Sequence, residues 1–393
     1  MEKPMQKIRL ALVIHSLEAG GAERQLLTLA KGLDKKLFTV VVITFYQGGT
    51  LQDEILGAAG IELLNLRRKN RWEAPLCLVR LAKELKRSKI DVVYGFMETP
   101  AQMSLLAGSI LGIKVIWGLR RSHRELSHYD WAERVSFRTG RVLSAGADAI
   151  VLNSFAGKED YVKVGYCSKK MLVIHNGIDT NRFRRDSEKG ASQRKSWGIE
   201  PEAKVVGMVS RLHPMKGHEV FLRAAQKVAS VRSDVYFVCA GRGEKDRFLA
   251  LRALAARFGL EKRVFWPGEV KDVVGLYSAL DVVCLCSIYG EGFPNVVGEA
   301  MSCGVPCVVS DVGDSALLVG ETGLVVSRGD HEQLATALLG LLCRPREELS
   351  KMGELARARV IKEFSVDKMI CATTKVIQEL VYPSQRHSQT QDG

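Results

Sequence analysis

Two carboxylates stand eight residues apart in the stretch EGFPNVVGE, Glu291 to Glu299. The run before it, DVVCLCS (281–287), reads as a buried strand, and NVVGEAMSCG (295–304) has helical spacing closed by a glycine. Pro294 suits the first turn of that helix, where a missing N–H costs nothing. Glu291 is therefore expected in a strand-to-helix loop, and Glu299 about one and a half turns into the helix. In an α/β sheet such loops form the carboxyl edge, where ligands bind. Two acids there would repel phosphate and suit a ligand rich in hydroxyl groups.

A second loop, SRLHPMKGHE (210–219), leaves the strand KVVGMVS. Arg211 stands at the strand end and Lys216 opens the next helix. A forked guanidinium and a point-charge ammonium beside a helix start can neutralise a diphosphate, although either alone reads equally well as a solvated cation. The third loop is HSLEAGGAERQ, with Gly20 and Gly21 between the first strand and its helix. Glycines there let backbone N–H groups approach an oxyanion, or simply make a turn. The spacing is not G-x-G-x-x-G, which argues against a nicotinamide cofactor. Cations after one strand and acids after another divide the work: phosphate to Arg211 and Lys216, sugar and ribose hydroxyls to Glu291 and Glu299.

The elements that must carry these loops recur along the chain. IRLALVI, TVVVITF, IELLNL, DVVYGF, KVIWGL, DAIVLNS and MLVIHNG are separated by amphipathic stretches such as AERQLLTLAKGL (22–33). That is the βαβ rhythm of a parallel, doubly wound sheet. The polar run TNRFRRDSEKGASQRKSWGIEPEAK reads as a linker and a new start. The rhythm then resumes with KVVGMVS, DVYFVCAG, RVFWPG, DVVCLCS, CVVSD and GLVV. The expected architecture is α/β: two Rossmann-like domains facing a cleft, over 1–182 and 183–364. An isolated helix (365–382) and a polar, disordered tail (383–393) follow.

A length of 393 residues suits two domains. No run of eighteen apolar residues is present, so no membrane span is expected, and the N-terminus reads as a first strand, not a signal peptide. The nine cysteines, including Cys284-x-Cys286 and Cys303-x3-Cys307, read as small core residues of a reducing cytoplasm rather than a metal cluster. The net charge of +13 is uneven: residues 1–186 hold 30 basic and 19 acidic residues, a net +11. Nucleic acid, an anionic membrane or a phosphate-bearing lipid would suit that excess, and no zinc-finger or RNA-binding signature favours the first. RRKNRW (67–72), ahead of an amphipathic stretch, fits peripheral contact with an anionic membrane.

With these residues in view, GGAERQLLTLA, SRLHPMKGHEVFLRAA, EGFPNVVGEAMSCGVPCVVSDVGDS and ETGLVV resemble the retaining GT-B glycosyltransferases of family 4. The bacterial exopolysaccharide and lipopolysaccharide sugar transferases are the nearest in look, Gly313–Ser315 included. The resemblance implies that Arg211 and Lys216 clamp the donor diphosphate, Glu291 holds the donor sugar and Glu299 the ribose hydroxyls. Backbone around Gly292, Phe293 and Asn295 would serve sugar and phosphate oxygens. Gly20 and Gly21 would lie in the loop that closes over phosphates or acceptor, and the final helix would cross back to the first domain. Base contacts are expected around Gly241–Gly243 and Gly268–Val270. Many members carry a histidine after the fifth strand; here Arg120 stands in that place, with His123 three residues on and His15 as another candidate.

The implied reaction is retaining, front-face sugar transfer from a UDP- or GDP-sugar to a glycan or lipid-linked acceptor. It would run in the cytoplasm or at the cytoplasmic face of the inner membrane. No D-x-D stands where a divalent ion would be needed, so neither metal nor cofactor is expected, and no nucleic acid partner. A nucleotide-sugar epimerase and a non-catalytic nucleotide-sugar-binding subunit are the competing readings, the second kept open by Arg120.

Overall fold

The computed structural model describes residues 7–120 and 131–383. The described parts of Met1–Gly177 and Val366–Gly393 form one compact unit, and Ile178–Ser365 forms a second. His123, and the tail from residue 384 onward, lie outside the described residues.

The first unit holds β1 (Ile8–Ile14), β2 (Phe38–Thr44), β3 (Ile61–Asn65), β4 (Val92–Phe96), β5 (Lys114–Leu119), β6 (Ala149–Leu152) and β7 (Met171–Val173). They pair in the order β3-β2-β1-β4-β5-β6-β7, every neighbour parallel. Helices cover both faces, so the strands are apolar at consecutive positions rather than at alternate ones. Ala11 and Val13 enter one core with Leu81 and Ala101, while Leu10, Leu12 and Ile14 enter the other with Leu26 and Ile377. Each fully buried Val, Leu or Ile among these contributes roughly 1.5–3 kcal/mol. The helix Val366–Val381 belongs to this unit: Met369 and Ile377 join the core, and Gly32 leaves room for Ile370, whose Cδ1 would lie 2.1 Å from an added Cβ.

The second unit holds β8 (Lys204–Val209), β9 (Val235–Ala240), β10 (Val264–Gly268), β11 (Val282–Leu285), β12 (Cys307–Ser310) and β13 (Leu324–Val326), in the order β10-β9-β8-β11-β12-β13. From β8 the chain winds outward through β9 and β10, then returns to β11 and winds the other way. The sheet therefore has its topological switch point between β8 and β11.

One expectation is corrected. The polar run after Asp179 is not a linker. Phe183 is buried, and Ser187–Ser196 is a helix whose N-cap, Asp186, accepts a hydrogen bond from the Lys189 N–H at 3.0 Å. That helix docks without aliphatic residues. Gly190 lies against the Ser278 carbonyl, and Arg194 donates to the Ala279 carbonyl and to Asp281, both at 2.8 Å. The division between the units accordingly falls after Gly177, ahead of the 182/183 boundary drawn from composition. Cys77, Cys239, Cys284, Cys286, Cys303 and Cys307 are buried, whereas Cys343 and Cys371 are exposed and so are not the core residues expected of every cysteine. Among the described residues, no helix is long and apolar enough to cross a membrane.

Candidate active site

The loops after β8 and β11 leave neighbouring strands on the carboxyl edge of the second sheet. After β8 the chain turns through Pro214–Lys216, where the Met215 carbonyl accepts a hydrogen bond from Ile288 N–H at 2.8 Å. Gly217 follows with φ +70°, and a Cβ there would sit 2.0 Å from the Cys286 carbonyl oxygen. Only glycine both adopts that backbone and lets the loop lie so close to the end of β11.

This approach brings Lys216 and Glu291, 75 positions apart, into direct contact: the ammonium donates to Glu291 Oε1. The pair is nearly enclosed, with side-chain exposures of 14% and 8%. Ser287 Oγ donates to the same oxygen at 2.5 Å. Burial alone would push the Glu291 carboxyl up. The Lys216 charge and hydrogen bond, the Ser287 hydroxyl and the Arg211 charge outweigh it and hold the group below the usual carboxylate value. Arg211 itself is exposed at the strand end. The Gly313–Asp314 turn buttresses the acid from behind. Asp314 N–H donates to the Gly292 carbonyl at 2.9 Å, and Gly313, at φ +63°, has the Glu291 carbonyl 2.5 Å from any added Cβ.

Glu299 lies on the helix Asn295–Ser302, where its Oε2 accepts a hydrogen bond from the Tyr277 hydroxyl at 2.9 Å. Tyr277 is fully buried, and burial beside the carboxylate pushes its phenol far above the ordinary value. Tyr277 thus remains a donor and fixes one oxygen of Glu299. Tyr277→Phe is expected to weaken binding of a ribose-bearing ligand about tenfold or less, the worth of one hydrogen bond to a charged group. Titration calorimetry with a nucleoside diphosphate checks it, and an unchanged affinity would remove Tyr277 from the site.

The expected loop glycines are placed as follows. Gly241 (φ +142°) donates its N–H to the Gly268 carbonyl at 2.7 Å and lies against the Ser210 carbonyl, tying the ends of β9, β10 and β8 together. Gly268 (φ +70°) has open space where a side chain would be, and Val270 packs at the edge of the core. Asn295 opens the helix that carries Glu299. Phe293 was expected to offer its backbone alone, and its ring is buried against Phe364, centroids 5.3 Å apart. A cavity of about 870 Å³ lined by Arg194, Asp281 and Pro306 opens at the opposite, amino edge of this sheet, and none of the site residues borders it.

The remaining candidates sit in the first unit, whose own switch point lies between β1 and β4. Gly20 caps the helix Gly21–Gly32, but Glu23 folds over it, with Oε2 2.3 Å from where a Gly20 Cβ would stand. Arg120, at the end of β5, lies over the Phe96 ring at 4.7 Å and donates from Nη1 to Asn176 Oδ1 at 2.6 Å. His15 stacks beside Tyr46 and meets Phe45 edge-on, the arrangement of a packed lining residue. Sequence reasoning missed Tyr277, Ser287 and Asn176. Only Ser287, four residues before Glu291, had a signal to offer.

Residues 19–182 match the family described as Glycosyltransferase Family 4, and residues 203–344 match Glycosyl transferases group 1. The Anabaena HepE protein, crystallised with UDP, has the same fold, with a TM-score of 0.82 at 22% identity over 95% of this chain and 100% of that one. The D-inositol 3-phosphate glycosyltransferase of Mycobacterium marinum is 33% identical over 201 residues, 50% of this chain and 42% of that protein. The lipopolysaccharide core biosynthesis mannosyltransferase LpsB of Rhizobium meliloti is 31% identical over 224 residues, 55% of this chain and 63% of LpsB. The match to this chain spans under half the length of the first of these relatives and under two thirds of the second. Two parallel, doubly wound units of this kind define the GT-B class of fold. The chain belongs to the glycosyltransferases of family 4.

Proposed function

We propose that this chain moves a sugar, with retention, from a UDP- or GDP-sugar to a glycan or lipid-linked acceptor in cell-surface polysaccharide synthesis, without metal or cofactor. The observation that carries the reading is the enclosed Lys216–Glu291 contact at the β8/β11 switch point, beside Arg211 and within one loop and helix of Glu299. In the reaction the acceptor oxygen bonds to the anomeric carbon while the bond from that carbon to the diphosphate breaks on the same face. The acceptor proton passes to a leaving phosphate oxygen. Lys216 and Arg211 receive the charge that grows on the diphosphate, and donors fixed in advance there are worth far more than in water. Glu291 restrains the lysine and accepts from sugar hydroxyls, and Glu299 accepts from the ribose. We assign Arg120, Gly20 and Gly21 to the acceptor side. The HepE structures with UDP and UDP-glucose make UDP the first diphosphate to try.

The experiment is a thermal-shift panel with UDP, GDP and ADP. A ligand at 100 times its dissociation constant stabilises by about 2.7 kcal/mol. Stabilisation by one diphosphate, lost in Glu299→Ala, supports the reading; no response to any of them overturns it.

We also propose that the first unit rests on an anionic membrane at the cytoplasmic face of the inner membrane. Trp72 (79% exposed), Leu76 and Val79 are solvent-facing at the start of the helix Ala74–Arg87, whose exposed Lys83, Lys86 and Arg87 follow. Flotation with phosphatidylglycerol vesicles but not with phosphatidylcholine vesicles is the expected result. Equal flotation with both, or with neither, counts against it.

A further inference from the structure

His218 is completely buried, directly after the Lys216–Gly217 turn, as the first residue of the helix His218–Val231. Its Nε2 lies 3.4 Å from Ser210 Oγ, and its Nδ1 is buried with no hydrogen-bond partner among the described residues. Phe221 and Leu222 on the same helix, with Leu212 and Cys286, belong to the second unit's core. The neighbouring charges are Lys216 on the turn, Glu219 on its own helix and Arg247 on the helix Lys245–Arg257, the last two joined in an ion pair at 2.5 Å. Burial first, then the Arg247 charge, partly opposed by Glu219 and with a smaller push from Lys216, take His218 down to about 4, so the ring is neutral at physiological pH.

A residue needed only to fill this space would be apolar. A leucine would pack there without stranding a ring nitrogen away from water, which is costly. What the imidazole gains is its contact with Ser210, and Ser210 is a fixed point. Its N–H donates to the Ala240 carbonyl at 2.9 Å, and its carbonyl lies against Gly241. The next residue along the chain is Arg211.

We propose that His218 is a positioning residue for the diphosphate clamp, bracing the helix start against Ser210 and so fixing Lys216 relative to Arg211. This rests on the reading of Lys216 and Arg211 given above. The ring acts as a neutral strut across an eight-residue loop. Met215 against Ile288 and Gly217 against Cys286 hold the loop to β11; His218 is the contact that holds it to β8. Being neutral, it sets the geometry of two cations without adding a third charge.

The test uses the full chain and titration calorimetry with UDP and UMP. His218→Leu keeps the packing and removes the strut, and is expected to weaken UDP about tenfold while changing UMP less than about threefold. Glutamine places an amide nitrogen where histidine has Nε2, whereas asparagine reaches only as far as Nδ1. His218→Gln is therefore expected to stay within about threefold of the parent for UDP, and His218→Asn to behave as His218→Leu. Should His218→Leu fail to fold, Ser210→Ala removes the same contact from its other end and is expected to give the same tenfold loss. In the Ser210→Ala/His218→Leu pair the losses should not add. Equal weakening of UDP and UMP, failure of glutamine to rescue, or additive losses would overturn the proposal. Lys216→Ala separates it from the reading beneath: if that variant binds UDP normally, the clamp assignment itself falls.

Discussion

Lys216→Ala is expected to lower kcat by about 10²–10³-fold, the usual cost of one preorganised donor at developing charge. Two effects would mix in that variant, and the structure allows them to be separated. Lys216 receives charge from the leaving diphosphate, and it also neutralises Glu291, which is 7% exposed. Removing the ammonium alone strands a carboxylate in a largely dry site, so a loss of stability should accompany the loss of turnover. The double variant Lys216→Ala/Glu291→Gln removes both charges. It should melt closer to the parent than Lys216→Ala does, while its turnover stays at least as low. Turnover that recovers together with the melting temperature would mean the lysine only supports the fold. Near-normal turnover in Lys216→Ala would sink the assignment outright.

Glu291→Gln is the second large effect, and its sign with pH is fixed by the pair. The substitution leaves the Lys216 ammonium enclosed without a counter-charge, which typically costs about 3–5 kcal/mol. Glu291 has its carboxyl held below the ordinary value in the folded state. Its contribution is therefore fully present above the unfolded value of about 4.3 and is lost as pH falls through the lower folded value. The gap in melting temperature between parent and Glu291→Gln should be wide at pH 7 and should close as the pH is taken below about 4. Circular-dichroism melts at several pH values check it. A gap that stays constant with pH would show that the effect comes from lost packing and not from the charge pair.

Strands and site loops differed in how far they could be read from the chain alone. Runs such as TVVVITF and DVVCLCS are apolar at consecutive central positions, and that continuity is itself the mark of a strand covered on both sides. The loops could be placed for the same reason, because each follows such a run. What stayed hidden was contact at long range. Nothing in SRLHPMKGHE states that its lysine touches an acid 75 residues later; that depends on β8 and β11 being neighbours and on Gly217 having no side chain. The helix Ser187–Ser196 was hidden for the opposite reason. It docks through a glycine and an arginine, and a hydrophobic pattern cannot report a helix that buries no aliphatic side chain. Phe293 entered the expected site through its backbone, and the burial of its ring, decided by Phe364 far along the chain, was not legible from its neighbours. Membership of family 4 is carried by several motifs together, while the roles within them remain proposals for the variants above.

The return of Val366–Val381 to the first unit makes the second an insertion in the topological sense. Its ends meet: Ile178 bridges Ser365, and Ile178 N–H donates to the Phe364 carbonyl at 2.8 Å. Closing such a loop asks nothing of the host beyond a single crossing point. On the ribosome the order of completion is then inverted. The unit that begins the chain lacks Met369 and Ile377 on one face of its sheet until synthesis has passed Val381, whereas Ile178–Ser365 is contiguous and can condense earlier. During translation, the half that carries Lys216 and Glu291 is the one that can mature first, and the half named first in the sequence waits for it.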